Sequence, residues 1–394
     1  MIEVKSPFLT QGRDMNSRER VLAALDHREP DRIPLDLGAG ISCKMHVHFY
    51  ARLLEHFGMK EDIVLCSKIG QSAYASNAML ERLECDVRTP WPTHSPSANA
   101  AVADWEDDEY LYHRDIWSTG YRMPKSLPLY YDMHRFPLAD ATDEEKAAYA
   151  WPELNALDKA GARQAKAFQD AGYPVAFIDS HGNGFLQTGP RLYGFDNWLS
   201  MLALEEDDVA GFLDRLLESK MRYYDNLFAL YGDSLDIVSE SDDLATQNSL
   251  FMSPDMFRAI FKPYWKKLFE HIRSRSRAKI TLHCCGACEP LLGDFIELGL
   301  DVLNPVQISA AGMDPHHLKK EYGKDLAFWG GGVDTQKILP HGTPDEVRDN
   351  VKRNIDAFAR DGGFVFATIH NTQADVPVEN FIAMWETFMD RRNY

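Results

Sequence analysis

The chain has 394 residues, 45% of them hydrophobic and 26% charged, with a formal net charge of −18. That length buries a large core and is long for one ordinary domain, although an α/β barrel carrying insertions reaches it. The acidic balance argues against a nucleic-acid-binding surface, which needs a basic stripe, and no apolar run approaches the ~20 residues of a bilayer crossing. The N-terminal stretch has no apolar signal-like core, and six cysteines are scattered along the chain. Together these point to a cytoplasmic protein whose thiols serve metals or packing rather than disulfides.

Residues 1–14 read as a tail. Asn16-Ser17-Arg18-Glu19 then has the form of a helix N-cap with Glu at N3, followed by Val21, Leu22 and Leu25 at helical spacing. Pro30 ends that helix, and RIPLDLG (residues 32–38) reads as a strand running into a glycine-containing loop. Residues 86–137 differ in character: aromatics, prolines and turn residues alternate with no long amphipathic helix, which predicts an insertion of β-hairpins and loops. From residue 145 a rhythm sets in. Apolar strands are predicted at 173–182, 235–243, 278–286, 300–307, 326–334 and 363–371, each ending in polar residues and followed by an amphipathic helix. The helices carry start and stop marks: Glu289-Pro290 to Gly299, Asp314-Pro315 to Gly323, and Thr343-Pro344 to Gly362. Repeated β-then-α units imply a parallel sheet covered by helices. With RIPLDLG and one strand of unassigned position, the count reaches about eight, the number of a TIM (β/α)8 barrel. We therefore expect one α/β domain over 1–394, with the tail and the aromatic insertion as extensions. A doubly wound sheet is the alternative, but a G-x-G-x-x-G is missing at the first βα turn.

In such a barrel the active site lies at the C-terminal ends of the strands. Those ends carry Asp179-Ser180-His181, Glu240-Ser241-Asp242-Asp243, His283-Cys284-Cys285, Asn304, Gln307, Asp334 and His370-Asn371. Any one of these residues could simply cap a helix, but so many chemical groups converging from different strands favour an enzyme. The stretch TLHCCGAC (281–288) concentrates half of the cysteines. Strand alternation puts His283 and Cys285 on one face and Cys284 on the other. H-x-C can offer imidazole and thiolate to one Zn²⁺, yet a packed cysteine beside a hydrogen-bonded histidine fits the same residues. Cys285 and Cys288 also form one C-x-x-C pair, a weak signal without a second.

Several stretches together resemble the uroporphyrinogen decarboxylase superfamily: MNSRERVLAALDHREPDRIPLDLG, DDLATQNSLFMSPDMFRAIFKPYWKKL, LHCCGACEPLLGDFIELGLDVLNPVQISAAGMD, WGGGVDTQKILPHGTPDEVRDNVKRNI and HNTQADVPVENFIAMWETF. The resemblance runs from about Asn16 to Phe388 and implies a TIM barrel. Uroporphyrinogen decarboxylases carry an arginine-rich loop after the first strand that grips substrate carboxylates, whereas GAGISCKMHVHFY (38–50) has no arginine. The chain is more similar to the branch containing the corrinoid-dependent methyltransferases. In the methylcobamide:thiol methyltransferases the zinc ligands are the His and Cys of H-x-C and a second Cys on the last barrel strand. His283 and Cys285 match the first two, while His370 stands where the second cysteine is expected.

The resemblance implies a methyltransferase that moves a methyl group from a small methoxylated or methylated compound to a Co(I) corrinoid, that is, an O-demethylase. Its expected zinc ligands are His283, Cys285 and His370. The expected corrinoid or cobalamin is supplied by a partner protein or free, and self-association into a homo-oligomer is left open. Glu240, Asp242 and His181 are candidates for proton transfer, since a carboxylic acid with a raised pKa could protonate the departing oxygen. Trp117, Tyr121, Asn304, Gln307 and Asn371 are candidates for substrate binding. Trp117, Tyr121, Tyr130 and Tyr131 could line an apolar lid, or could be the small core of the insertion itself. Methylcobamide:thiol transfer and decarboxylation of a small acid are the alternative reactions.

Overall fold

Short apolar strands separated by amphipathic helices can bury both of their faces only in a parallel sheet, and the chain builds one. The computed structural model describes residues 14–40, 42–91, 102–152, 157–177, 183–204 and 206–394. Its main sheet has six strands, in the order Phe364–Val365, Ala327–Trp329, Val302–Asn304, Lys279–His283, Ile237–Ser241, Ala176–Phe177. Every neighbouring pair is parallel, and the spatial order is the order in sequence. Each of the six lies inside a segment predicted as a strand.

Two further segments bridge the edges of this curled, TIM-barrel-like sheet. Leu35 forms a parallel bridge with Phe366 beside one outer strand, and Arg88 forms one with Val175 beside the other. The two segments meet each other as well: the Asp86 N–H donates to the Leu35 carbonyl at 2.8 Å, and the Leu35 N–H donates to the Asp86 carboxylate at 2.9 Å. The strand expected over 32–38 is thus reduced to a bridge at Leu35. Pro34 offers no N–H to a ladder, and Gly38 (φ +100°) turns the chain away.

Asp86 is fully buried and also accepts from the Ser17 hydroxyl (2.8 Å), Arg20 (2.7 Å) and Arg32 (2.8 and 2.9 Å). It thereby ties helix Ser17–Leu25 to the seam between the bridging segments. That helix opens on the expected capping box, in which the Asn16 side chain accepts from Glu19 N–H and Glu19 accepts from Asn16 N–H. Helices Pro315–Tyr322 and Pro344–Phe358 begin with proline in the first turn behind the caps Asp314 and Thr343, as expected.

Residues 103–135 form a four-stranded antiparallel sheet, Ala103–Glu106, Tyr110–Arg114, Gly120–Pro124 and Asp132–Arg135, inside the segment expected to be hairpins. One face stacks Trp105 on Tyr112 at 5.3 Å. The other packs Tyr121, Met123 and Tyr131 into a small cluster against Ile69 and Leu111. A three-stranded sheet of Met45–His46, Ser72–Tyr74 and Val64–Ser67 adjoins it, and the His46 ring donates to the Leu129 carbonyl at 2.8 Å. No helix among the described residues is long and apolar enough to cross a membrane.

Glu240, a candidate proton donor, is occupied otherwise. Strand alternation turns it to the helix side, where its carboxylate lies 2.7 Å from Lys220 Nζ and accepts from the Tyr224 hydroxyl at 2.9 Å, both on helix Glu206–Tyr231. Both members of the ion pair are fully buried. A buried pair broken on one side leaves an uncompensated charge. Glu240→Ala should therefore lower stability by about 3–5 kcal/mol, and the Lys220→Met/Glu240→Leu double variant should recover most of it. Urea unfolding of the three proteins checks this.

Candidate metal centre at the strand ends

The strand Lys279–His283 ends on the histidine of the cysteine-rich stretch, and the chain turns immediately afterwards. The Cys284 N–H donates to Asn304 C=O (2.7 Å), and the Cys285 N–H donates to Asp243 Oδ1 (2.7 Å). Gly286 (φ +88°) completes the turn, because a Cβ there would lie 2.5 Å from the Thr246 carbonyl oxygen. The Gly286 N–H donates to Gln307 Oε1 at 2.7 Å, and Gln307 Nε2 donates to Gln247 Oε1 at 2.6 Å. Gln307, a substrate-binding candidate, is therefore buried as a prop beneath this turn.

The turn brings Cys285 Sγ to 3.3 Å from His283 Nε2, while Cys284 is buried on the other side. His370 arrives from the segment after the last strand, its ring centroid 5.7 Å from that of His283. One ligand atom each of His283, Cys285 and His370 lies within 4.8 Å of the other two. These are the three residues expected as metal ligands.

Burial shifts two of these side chains toward their neutral forms. Burial, together with the nearby His283, pushes His370 down to about 4, so its ring is a neutral ligand at pH 7. Burial and the negative charge of Asp243 push the Cys285 thiol well up, so that in the bare cluster it keeps its proton. A divalent cation could replace that proton, and two imidazoles with one thiolate are a donor set that Zn²⁺ accepts. The residues present fit the metal.

The adjacent carboxylates divide their roles. Asp243 is the one at the cluster: Oδ1 lies 3.8 Å from His283 Nε2, and Oδ2 accepts from Gln187 Nε2 at 2.7 Å. Asp242, a candidate for proton transfer, is fully buried and accepts from the backbone N–H groups of Leu186 (3.0 Å) and Gln187 (2.8 Å). It packs so closely on Gly184 that a Cβ there would be 2.3 Å away. Burial pushes its carboxyl up to about 7.

Asn304 is buried directly behind His283, with Nδ1 and Oδ1 2.7 Å apart. Asn371 Oδ1 accepts from Lys44 N–H at 3.0 Å and so anchors the segment that carries Ser42, whose hydroxyl lies 2.9 Å from the same His283 Nδ1. Trp117 lies in the main core with its ring 5.9 Å from that of Trp151. Tyr121 is buried in the small core of the antiparallel sheet, donating to Asp115 at 3.1 Å. His181 lies outside the described residues. The sequence names Asp243 only among the strand-end groups, with no role, and does not single out Ser42. The adjacency of Asp243 to Asp242 was the available signal for one, and nothing local marks the other.

Asp242 supplies a pH test. Its native value of about 7 exceeds the ordinary 3.8, so between those limits the native state holds a proton that the unfolded chain has released. Stability is therefore fullest below about pH 4 and falls as pH rises through 7, by on the order of 4 kcal/mol from this group. Asp242→Asn cannot ionise and should flatten that slope. Urea midpoints measured from pH 4 to 8 check it.

The family model described as Uroporphyrinogen decarboxylase (URO-D) matches residues 186–390, a stretch that carries His283, Cys285 and His370 and five of the six parallel strands. Among solved structures, a methyltransferase from Methanosarcina mazei aligns with a TM-score of 0.62 at 16% sequence identity, covering 96% of this chain and 99% of that one. At that identity the likeness is one of fold. No curated protein sequence matches the chain. The family match spans just over half of the 394 residues, and the chain belongs to the uroporphyrinogen decarboxylase (URO-D) family.

Proposed function

We propose that the protein is a corrinoid-dependent methyltransferase that removes the methyl group of a small methoxylated compound, aromatic ethers included, and passes it to a Co(I) corrinoid carried by a partner protein or free. In this reading the chain is a single (β/α)8 barrel whose first two strands are the bridging segments at Leu35 and Asp86–Arg88. The observation that carries the proposal is the meeting of His283, Cys285 and His370 within 4.8 Å at the strand ends. These three residues would hold zinc, which when bound acts as a Lewis acid toward the oxygen that loses its methyl group. A donor set with one thiolate cancels less of the cation's charge than two or three thiolates would. That favours polarising an ether oxygen over activating a thiol acceptor, which is the reason to prefer demethylation to methylcobamide:thiol transfer.

In the transfer the C–O bond breaks, the methyl carbon bonds to cobalt, and the electron pair stays on oxygen, which then takes a proton. Asp243, a third exposed beside His283 and steadied by Gln187, is placed to orient the water or hydroxyl that delivers it. Decarboxylation finds less support, because residues 38–50 contain no arginine to hold a carboxylate.

Metal analysis tests the site. The purified protein should carry stoichiometric zinc, lost in Cys285→Ser and His370→Ala; an active, metal-free wild type would overturn it. Incubation with Co(I) cobalamin and a panel of methoxy-aromatics should give the methyl-Co(III) spectrum, with Asp243→Asn slower by about 100-fold. No methylation across the panel would overturn the demethylase reading.

A further inference from the structure

We infer that Asn304 is a positioning residue that decides which ring nitrogen of His283 carries the proton, and hence whether the nitrogen that faces Cys285 presents a lone pair. Three hydrogen bonds in series carry the inference. Trp329 Nε1–H donates to Asp36 Oδ2 at 3.0 Å, which pins Trp329. Asn304 Nδ2–H donates to the Trp329 backbone carbonyl at 2.9 Å. Asn304 Oδ1 lies 2.7 Å from His283 Nδ1.

An amide has one acceptor end and one donor end, and here each end faces a fixed partner. Rotating Asn304 by half a turn would set its oxygen against the Trp329 carbonyl oxygen, two acceptors with no proton between them. With the amide fixed, its oxygen demands a proton on His283 Nδ1. The neutral ring then has its lone pair on Nε2, the nitrogen 3.3 Å from Cys285 Sγ. In the other tautomer, lone pairs on Nδ1 and Oδ1 would oppose each other at 2.7 Å in a buried site. Ser42 Oγ, 2.9 Å from Nδ1, does not choose between the forms, since a hydroxyl can donate or accept.

The arrangement also explains a fully buried amide among apolar strands. Register places Asn304 level with His283 on the neighbouring strand, so the pairing of the two strands delivers the acceptor to the ring. Asn304 is therefore removed from the substrate and acts through His283. Only the metal-affinity consequence rests on the proposed metal site.

The test has two readouts. In metal-free protein labelled with ¹⁵N-histidine, long-range ¹H–¹⁵N spectra should show His283 protonated at Nδ1 in the wild type and in Ser42→Ala. Asn304→Leu should lose that preference, and Asn304→Asp, which keeps the acceptor toward Nδ1 and must carry a proton on its other oxygen to replace the donor to the Trp329 carbonyl, should retain it. Zinc affinity measured by chelator competition should fall about 10–100-fold in Asn304→Leu, and Asn304→Asp should recover most of the loss. A wild-type His283 protonated at Nε2, or a tautomer unchanged in a folded Asn304→Leu, would overturn the inference. Should Asn304→Leu not fold, the wild-type and Asn304→Asp spectra still decide it. A wild type that binds no zinc but shows the Nδ1–H form would sink the metal reading and leave the role of Asn304 standing.

Discussion

A parallel sheet has no hairpins to hold its strands in place, and a curled one must still satisfy its two outer strands. Asp86 is the constraint that answers this need. Its carboxylate gathers the Leu35 N–H, the Ser17 hydroxyl and the guanidinium groups of Arg20 and Arg32, while its own N–H reaches the Leu35 carbonyl. Leu35 in turn bridges to Phe366, and Arg88 to Val175. A buried carboxylate is tolerable only with such partners. One side chain thus joins the first helix to both bridging segments.

The site depends on that closure. Past Leu35 the chain runs by way of Ser42 to Met45, which bridges Thr372, and the Lys44 N–H meets Asn371. The segment that reaches His283 from above is therefore held to the one that delivers His370. Below, the frame is made by buried polar side chains: Asn304 behind the imidazole, Gln307 beneath the Gly286 turn, and Asp242 under the loop at 186–187. Each has its hydrogen-bonding ends taken by backbone or by a fixed side chain. Three groups expected to meet substrate or protons thus serve to hold those that can.

The carboxylates show the same division. Glu240, Asp242 and Asp243 are close in sequence, yet one is sealed against Lys220 in the helix layer, one is buried under a loop, and one stands beside the histidine. Their order along the chain carries the alternation that separates Glu240 from Ser239 and Ser241. It does not say how the chain bends after the strand ends at Ser241, and that bend decides between Asp242 and Asp243.

Much was legible from local pattern. The six strands, the capped helices and the antiparallel strands within 103–135 follow from apolar periodicity and turn chemistry, which act over a few residues. The partnership of His283 with Cys285 follows from spacing, and His370 entered through family resemblance. What could not be read depends on contacts between distant segments. RIPLDLG looks like a full strand, but Pro34 and the turn at Gly38 leave a single bridge. The aromatics Trp117 and Tyr121 suit a lid by type, and only packing puts both in cores. The residues by themselves determined the donor types available, two imidazoles and a thiol. Tertiary structure alone decided their convergence and the orientation of Asn304, because both are set by strand pairing across gaps of twenty to ninety residues, where local chemistry has no reach.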